Sequence, residues 1–395
     1  MSDTSRRRLV HETWGDHAAL LARHEGRRDG SVGLVTPQVV DVATPREPLA
    51  LESGVTLPQV AVAYEAYGEL DASGRNAVLV CHALTGSAHA AGRHEARDVP
   101  GWWDPLIGPG KALDTRRFYV VCSNVLGGCY GTTGPTSLDP ASGHPYGPDF
   151  PRFTIRDMVS VQRRLQRELG VRSWRAVIGG SMGGMQALEW AVTHPDDVQG
   201  LVAIGIGARH SAWAIGLNEV ARRAIMADPA FQEGRYPLER QPEAGLGLAR
   251  AIAMLSYRSF DSLEAKFGRE RSATGDEAFS SSFEIASYLA YQGVKLVRRF
   301  DANTYIGLTR AMDEHDLSAG RGRLETVLAG VSARALIMSI QSDVLYPEVE
   351  QRRLVEGLSQ ARFERLISPH GHDGFLIEYA QLAAHLRRFL GELER

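Results

Sequence analysis

A serine in a glycine-rich turn is the residue of this chain best suited to do chemistry. It lies in Gly179-Gly180-Ser181-Met182-Gly183, a Gly-x-Ser-x-Gly pattern that follows an apolar stretch, 174–178, and precedes a helix-like stretch, 184–191. A tight strand–turn–helix connection of this kind raises the serine oxygen clear of the strands, at the positive end of the next helix. The pattern predicts a nucleophile at Ser181. The alternative is a buried serine in an ordinary glycine-rich turn.

A serine nucleophile needs a base within hydrogen-bond reach and a carboxylate that orients the base. Around such a turn the chain order is serine, then acid, then histidine. Asp343 follows an apolar stretch that ends at Ile340, where the acid belongs, although Ser-Asp is also common turn chemistry. Two histidines follow the next apolar stretch. The local sequence favours His372, which precedes the apolar start of a helix, over His370, which follows a proline.

The negative charge that develops on a reacting carbonyl oxygen needs two backbone N–H donors. One donor is expected from the residue after the nucleophile, Met182. The other is expected from a loop after an early strand, and the stretch 81–87, with Leu84 at its bend, is the candidate. An ordinary exit from a strand into a glycine-containing loop is the alternative interpretation of this stretch.

The elements that must position these residues alternate between strands and helices. Short apolar stretches typical of buried parallel strands occur at 57–64, 77–82, 118–123, 198–204, 333–338 and 363–367. Thr154 is expected to cap a helix that runs through Leu169, and 381–393 has the pattern of an amphipathic closing helix. This alternation predicts an α/β fold with a mostly parallel sheet flanked by helices.

The region 207–328 interrupts that alternation. It contains helix-like segments at 212–226, 245–255 and 282–299 and no good strand. We interpret it as a helical cap domain inserted between two strands of a core formed by 38–206 and 329–395. Residues 1–37 are polar and charged and are expected to form an N-terminal extension, with a short helix near 9–24.

The composition is that of an ordinary soluble globular protein. The 395 residues are 44% apolar and 23% charged, and the net charge of −3 argues against a nucleic-acid partner. No stretch approaches the length of a membrane span, and the arginines near the N-terminus lack the apolar segment of a secretory signal. The three cysteines have no zinc-type spacing, so we expect no metal site and a reducing, cytoplasmic location.

Six short motifs together resemble those of the homoserine O-acetyltransferase family. They are Cys81-His82-Ala83-Leu84-Thr85-Gly86; Gly179 to Gln186; Ser211-Ala212-Trp213 with Asn218-Glu219; Arg299-Phe300-Asp301-Ala302-Asn303; Ala311-Met312-Asp313 with His315-Asp316; and Gly371-His372-Asp373-Gly374-Phe375-Leu376. The likeness extends from about residue 38 to the C-terminus, and the set is far more specific than Gly-x-Ser-x-Gly alone.

The resemblance implies an α/β-hydrolase fold with a helical cap. It implies an enzyme that transfers acetyl from acetyl-CoA, as a co-substrate and without other cofactors, to the hydroxyl of L-homoserine in methionine synthesis. Ser181 would be the nucleophile, Asp343 the acid and His372 the base of a two-step reaction through an acyl-serine. The resemblance also implies a homodimer joined through the cap.

The substrate-binding residues implied by the resemblance are Arg250 and Asp373. A planar guanidinium suits the carboxylate of homoserine, and a carboxylate suits its ammonium group. Arg258, two helical turns further along, stays an alternative to Arg250. A solvated helix arginine and an N-cap for a helix that begins near Phe375 are the other interpretations of Arg250 and Asp373.

Three related activities are alternatives to acetyl transfer. Succinyl transfer to homoserine or serine would need a basic group for the extra carboxylate, whereas Val344, Leu345 and Tyr346, which follow the acid, are uncharged. A serine esterase would share the triad but would not need Arg250 and Asp373, the predicted amino-acid clamp. A binding module without activity could lose any residue of the triad, so the presence of Ser181, Asp343 and His372 argues against it.

Overall fold

A computed structural model describes residues 30–94, 99–271 and 283–395 of the protein. Its centre is an eight-stranded sheet with the order β1-β4-β6-β5-β7-β8-β9-β10, and β2 and β3 form a separate two-stranded ribbon. The strands are β1 (Gln38–Ala43), β2 (Leu49–Ala50), β3 (Thr56–Leu57), β4 (Val60–Tyr67), β5 (Ala77–Cys81), β6 (Tyr119–Ser123), β7 (Trp174–Gly180), β8 (Gly200–Ile204), β9 (Arg334–Ile340) and β10 (Ala361–Leu366).

The sheet is parallel from β6 to β10, and only the pairs β1–β4 and β4–β6 at one edge are antiparallel. All residues of β5 and β8 are buried, because helices cover both faces of the sheet. The predicted mostly parallel α/β sheet is therefore confirmed. One predicted strand, 57–64, is divided: Pro58 cannot donate to a strand ladder, so β3 ends at Leu57 and β4 begins at Val60.

The helices follow the predicted alternation. They are α1 (Ile155–Glu168), α2 (Met182–Thr193), α3 (Ala212–Met226), α4 (Glu243–Tyr257), α5 (Phe260–Phe267), α6 (Glu284–Val297), α7 (Ala302–Asp313), α8 (Leu324–Ala329), α9 (Glu348–Gly357) and α10 (Tyr379–Glu392). The predicted Thr154 cap is confirmed: its side chain accepts from the Asp157 N–H, and the Asp157 carboxylate accepts from the Thr154 N–H. None of the helices in the described residues combines the length and the apolarity needed to cross a membrane.

The segment between β8 and β9 contains α3 to α8 and, in its described residues, no strand beyond isolated bridges. The helices expected at 212–226, 245–255 and 282–299 correspond to α3, α4 and α6, whereas α5, α7 and α8 were not expected. The boundaries of the predicted cap domain and core stay a prediction. The short helix expected near residues 9–24 lies outside the described residues.

Parallel strands place their carboxyl ends at one edge of the sheet. The loops after β5, β7, β8, β9 and β10 therefore meet there, and these loops contain Leu84, Ser181, Gly205, Asp343 and His372. The crevice outside the carboxyl ends of the strands is the usual ligand site of such sheets.

Candidate active site

Ser181 occupies a strained turn between β7 and α2. Its backbone has φ 56° and ψ −130°, a conformation that residues other than glycine rarely adopt. A Cβ atom at Gly179 would lie 2.1 Å from the carbonyl oxygen of Gly183, and one at Gly183 would lie 2.1 Å from that of Cys81. Gly179 is needed because the backbone segments on either side of the serine almost touch, and Gly183 is needed because the turn packs against the end of β5.

His372 and Asp343 form a buried hydrogen-bonded pair. The Nδ1 atom of His372 donates to Oδ2 of Asp343 at 2.7 Å. The other carboxylate oxygen accepts from the N–H groups of Leu345 at 2.8 Å and Tyr346 at 3.0 Å, which fixes the carboxylate in place. Because Nδ1 carries the proton in this bond, Nε2 is the basic nitrogen of the neutral ring.

The imidazole of His372 faces the same cavity as Ser181. Burial lowers the pKa of His372, but the charge of Asp343, its hydrogen bond and the charge of Asp373 outweigh burial, so the pKa is raised. Within the described residues Nε2 of His372 has no hydrogen-bond partner. In this conformation it is therefore not bonded to the Ser181 hydroxyl, a bond that forms in many enzymes only when substrate is bound.

Gly205, which the sequence analysis did not single out, makes room for the pair. It follows β8 with φ 57°, and a Cβ atom there would lie 3.2 Å from Oδ2 of Asp343 and 3.3 Å from Cε1 of His372. A side chain at this position would press on both groups. The signal in the sequence is a glycine directly after a buried strand, which alone does not reveal what it faces.

His370, the competing histidine, points toward the helices between β8 and β9. Its Nδ1 atom lies 3.4 Å from the hydroxyl of Ser262, and it is absent from the cavity beside Ser181. The glycine between the two histidines, Gly371, has φ 68°, and a Cβ atom there would lie 2.7 Å from the backbone nitrogen of Ser259. The loop that carries His372 is therefore in backbone contact with the end of α4.

The two expected oxyanion donors lie at the start of α2 and in the loop after β5. Met182 is the first residue of α2, and Leu84 lies in a turn closed by a 2.9 Å hydrogen bond from the Gly86 N–H to the Ala83 carbonyl. In the described part of the chain, the N–H groups of Leu84 and Met182 have no hydrogen-bond acceptor. Both are available to a developing oxyanion.

A cavity of about 110 Å³ joins the triad to the predicted clamp. Its lining includes Ser181, His372, Arg250, Arg258 and Asp373. The Nε atom of Arg258 lies 3.2 Å from Oδ2 of Asp373, and the guanidinium of Arg250 lies 5.6 Å from the ring centre of Tyr257. The structure thus brings both candidate arginines to the cavity.

The capping interpretation of Asp373 is wrong. Asp373 lies inside a short 3-10 turn, Gly371–Leu376, whose N-cap residue is His370, and the N-cap residue of α10 is Glu378. Its carboxylate is instead part of the ion pair that lines the cavity.

A second, smaller cavity of about 20 Å³ also reaches Ser181. Its lining is mainly apolar, with Ala214, Leu217 and Leu345 among its residues, and it contains no lysine or arginine. Burial lowers the pKa of His210, one of its polar lining residues, to about 3, so this imidazole is neutral near pH 7. The small cavity can accept a short uncharged group.

One group of metal-ligand type occurs in the described residues, away from the triad: Glu65, His89 and His94. The Glu65 carboxylate accepts hydrogen bonds from His94 at 2.7 Å, His89 at 3.0 Å and the Tyr67 hydroxyl at 2.8 Å. Burial raises the pKa of Glu65, but the two histidines lower it to about 2. These hydrogen bonds account for the cluster without a metal. The expectation of no metal site stays a prediction, as do the roles of the predicted site residues.

Comparisons with known proteins agree with this arrangement. Residues 76–379 match the model of a family described as alpha/beta hydrolase fold. A homoserine O-acetyltransferase of Carboxydothermus hydrogenoformans is 50% identical over 370 residues, 92% of this chain and 97% of that protein.

Solved structures agree as well. The crystal structure of homoserine O-acetyltransferase from Bacillus anthracis has a TM-score of 0.84 at 29% identity, covering 90% of this chain and 98% of that one. The crystal structure of esterase E22 has a TM-score of 0.83 at 31% identity, covering 90% of this chain and all of that one. With the fold and the resemblance of the motifs both confirmed, the chain belongs to the homoserine O-acetyltransferase family, within the α/β-hydrolase fold.

Proposed function

We propose that this chain transfers the acetyl group of acetyl-CoA to the side-chain hydroxyl of L-homoserine through an acyl-serine at Ser181. The observation that carries the proposal is the 110 Å³ cavity, whose lining brings Ser181 and His372 together with Arg250, Arg258 and Asp373. A guanidinium pairs with the carboxylate of an amino acid, and a carboxylate pairs with its ammonium group. Membership of the family supports the same reaction.

The first step forms the acyl-enzyme. Nε2 of His372 accepts the proton of the Ser181 hydroxyl as its oxygen attacks the thioester carbon. The resulting oxyanion accepts hydrogen bonds from the N–H groups of Leu84 and Met182. Collapse of this intermediate breaks the carbon–sulfur bond, and CoA leaves with the proton from His372. Asp343 stabilises the transient imidazolium.

The second step transfers the acetyl group. Arg250 and Asp373 hold the amino-acid end of homoserine, so that its hydroxyl faces the acyl-serine. His372 accepts the proton of that hydroxyl as its oxygen attacks the ester carbon, and it returns the proton to Ser181 as the intermediate collapses. Burial of Ser181 and His372 keeps bulk water from competing with homoserine.

The small cavity beside Ser181 supports acetyl as the acyl group. A cavity of about 20 Å³ without lysine or arginine in its lining suits a methyl group, whereas the carboxylate of a succinyl group would be buried there without a counter-charge. The uncharged residues 344–346 after the acid agree with this choice.

A serine esterase is the second candidate function. Esterase E22 is 31% identical over 90% of this chain, and hydrolysis needs the same serine chemistry with water as the acceptor. The charges of Arg250 and Asp373 favour transfer to an amino acid, because neither a neutral ester nor water forms ion pairs with them.

A matrix of substrates tests the proposal. CoA release is measured with acetyl-, propionyl- and succinyl-CoA, each with homoserine, serine or no acceptor. We expect the fastest release from acetyl-CoA with homoserine, an acetyl adduct on Ser181 by mass spectrometry when the acceptor is omitted, and no activity in Ser181→Ala. Release from acetyl-CoA that is equally fast without an acceptor would identify a hydrolase, and a preference for succinyl-CoA would overturn the choice of donor.

The setting proposed for this reaction is methionine synthesis in the cytoplasm, with acetyl-CoA as co-substrate and no resident cofactor. Cys81, Cys122 and Cys129 are free cysteines, which supports a reducing compartment. We propose a homodimer joined through the helices between β8 and β9. Exposed apolar side chains on α4 and α6 support this assembly.

A further inference from the structure

The direction of the Leu84 N–H group is set by hydrogen bonds to neighbouring peptide units. A trans peptide is planar, and its C=O and N–H groups point in opposite directions, so the Ala83 carbonyl determines where the Leu84 N–H points. That carbonyl accepts from Nδ1 of His82 at 2.8 Å and from the Gly86 N–H at 2.9 Å. An oxyanion donor is effective only when it is held in place in advance.

Arg299 holds the next peptide unit. The Gly86 N–H shares its peptide with the Thr85 carbonyl, which accepts from Nη1 of Arg299 at 2.6 Å. The same nitrogen donates to the hydroxyl of Tyr130 at 2.6 Å. Two linked peptide units therefore connect the guanidinium to the Leu84 N–H.

Arg299 and the loop that it holds belong to different parts of the fold. Arg299 is 8% exposed and lies between α6 and α7, in the segment inserted between β8 and β9, whereas Thr85 follows β5. Other contacts hold the far end of the loop from the sheet side: the Tyr67 hydroxyl accepts from the N–H groups of Ala90 and Ala91. Among the hydrogen bonds of the described residues, only that of Arg299 links the Thr85 peptide to the helical segment.

We infer that Arg299 is a positioning residue for the oxyanion hole, which aligns the Leu84 N–H through the Thr85 and Ala83 carbonyls. The helical segment thereby completes the oxyanion hole as well as covering it. The inference rests on the proposed acyl-serine chemistry at Ser181. Because Arg299 also lines the 110 Å³ cavity, direct binding of substrate is the competing role. Loss of a positioning residue would lower kcat and boronate affinity, whereas loss of a substrate-binding residue would raise a KM value.

The test compares Arg299→Ala and Arg299→Lys with Arg298→Ala, which removes an exposed arginine at the adjacent position. Three quantities are measured: kcat and both KM values for acetyl transfer, the rate of Ser181 acetylation by p-nitrophenyl acetate, and the inhibition constant of methylboronic acid. The boronic acid forms a tetrahedral adduct with the serine, so its affinity reports the oxyanion hole. Active-site titration with a fluorophosphonate corrects each rate for the folded fraction.

We expect Arg299→Ala to lower kcat and the ester acylation rate by about 10- to 100-fold and to weaken boronate binding similarly, because small misplacements of catalytic groups have effects of this size. Both KM values should stay within about twofold of wild type. Arg299→Lys should recover part of each loss, since it keeps the charge without the planar fork. Arg298→Ala should match wild type.

A higher KM for homoserine with unchanged boronate affinity would overturn the inference and assign Arg299 to substrate binding. Unchanged kcat and boronate affinity in folded Arg299→Ala would also overturn it. If Arg299→Ala does not fold, the same comparison of kcat, KM and boronate affinity in Arg299→Lys distinguishes the two roles. If no homoserine is acetylated by the wild type, the proposed function fails, but the boronate and ester measurements still test the role of Arg299.

Discussion

The protonation state of His372 governs the acidic side of the expected pH–rate profile. The base must be neutral to accept a proton from Ser181. Because Asp343 and Asp373 raise the pKa of His372 despite its burial, the neutral form is lost as the pH falls through a value above the ordinary 6.5 or so. We therefore expect kcat/KM for acetyl-CoA to rise with pH and to level off only above that value, in measurements at constant ionic strength.

Asp343→Asn supplies the matched comparison. Without the carboxylate, burial becomes the main influence on His372, so the acidic limb should move to lower pH while kcat falls by about 10³- to 10⁴-fold. Asp149→Asn, which changes an exposed aspartate, should leave both limb and rate unchanged. An acidic limb that stays in place in Asp343→Asn would contradict the assignment of the pair.

The residues that the sequence predicts and those that it misses differ in the range of their contacts. Ser181, Asp343 and His372 follow from a local motif and a fixed chain order. Gly205 does not follow from either, because the need for a glycine there comes from the closeness of side chains in two distant loops. Arg299 was noted only as part of a motif, because its partner, the Thr85 carbonyl, leaves no pattern in the sequence.

At the level of elements, α4 and the residue that follows it provide the two arginines proposed for the carboxylate of homoserine. Arg258 follows the last helical residue, has an extended backbone and already pairs with Asp373. Arg250 lies within the helix and has no carboxylate partner in the described residues. We expect Arg250→Ala to raise the KM for homoserine by about 10- to 100-fold through loss of a charge-assisted hydrogen bond, with the KM for acetyl-CoA unchanged.

An acceptor without a carboxylate provides the control for this prediction. With 3-aminopropan-1-ol in place of homoserine, Arg250→Ala and wild type should have the same kcat/KM, because the interaction removed by the substitution is absent in both. An unchanged homoserine KM in Arg250→Ala, together with a raised one in Arg258→Ala, would transfer the role to Arg258.

The helices show which local signals predict an element. Helix α3 was predicted at both ends: Ser211 caps it by accepting from the Ala214 N–H. Helix α7 was missed because its buried residues, which include Thr304 and Thr309, lie on several sides and give no single apolar stripe. Its cap, Asp301, accepts from the Thr304 N–H at 2.7 Å and is the signal that could have located it. Helix α5 buries none of its residues. Its apolar residues Phe260, Leu263 and Phe267 nevertheless recur at i, i+3 and i+7, and this stripe is the signal that could have located it.

At the scale of the whole molecule, the expected homodimer depends on an apolar face of α4 and α6. Leu248, Leu255, Tyr291 and Val294 on these two helices are 49–54% exposed. The helices themselves pack closely, since a Cβ atom at Gly293 would lie 2.9 Å from the carbonyl oxygen of Gly247. The four side chains therefore belong to one rigid surface that a second copy could cover.

Light scattering after size-exclusion chromatography tests this assembly. We expect wild type to elute as a dimer at micromolar concentration and Leu255→Lys to elute as a monomer, because a buried lysine without a partner destabilises an interface. Val39→Lys, which changes a residue of similar exposure on the edge strand β1, should leave the dimer intact. A wild-type monomer, or equal dissociation by both substitutions, would contradict a dimer through α4 and α6.

The positions of the three thiols have a practical consequence for following the reaction. Cys81 and Cys122 are buried in β5 and β6, and burial raises the pKa of both thiols. Burial also raises the pKa of Cys129, to about 12. Thiolates, which react with chromogenic disulfide reagents, are therefore scarce in the folded chain near neutral pH. We therefore expect the colour that such a reagent develops in a cuvette to come from the coenzyme liberated by the proposed reaction, so that turnover can be recorded continuously.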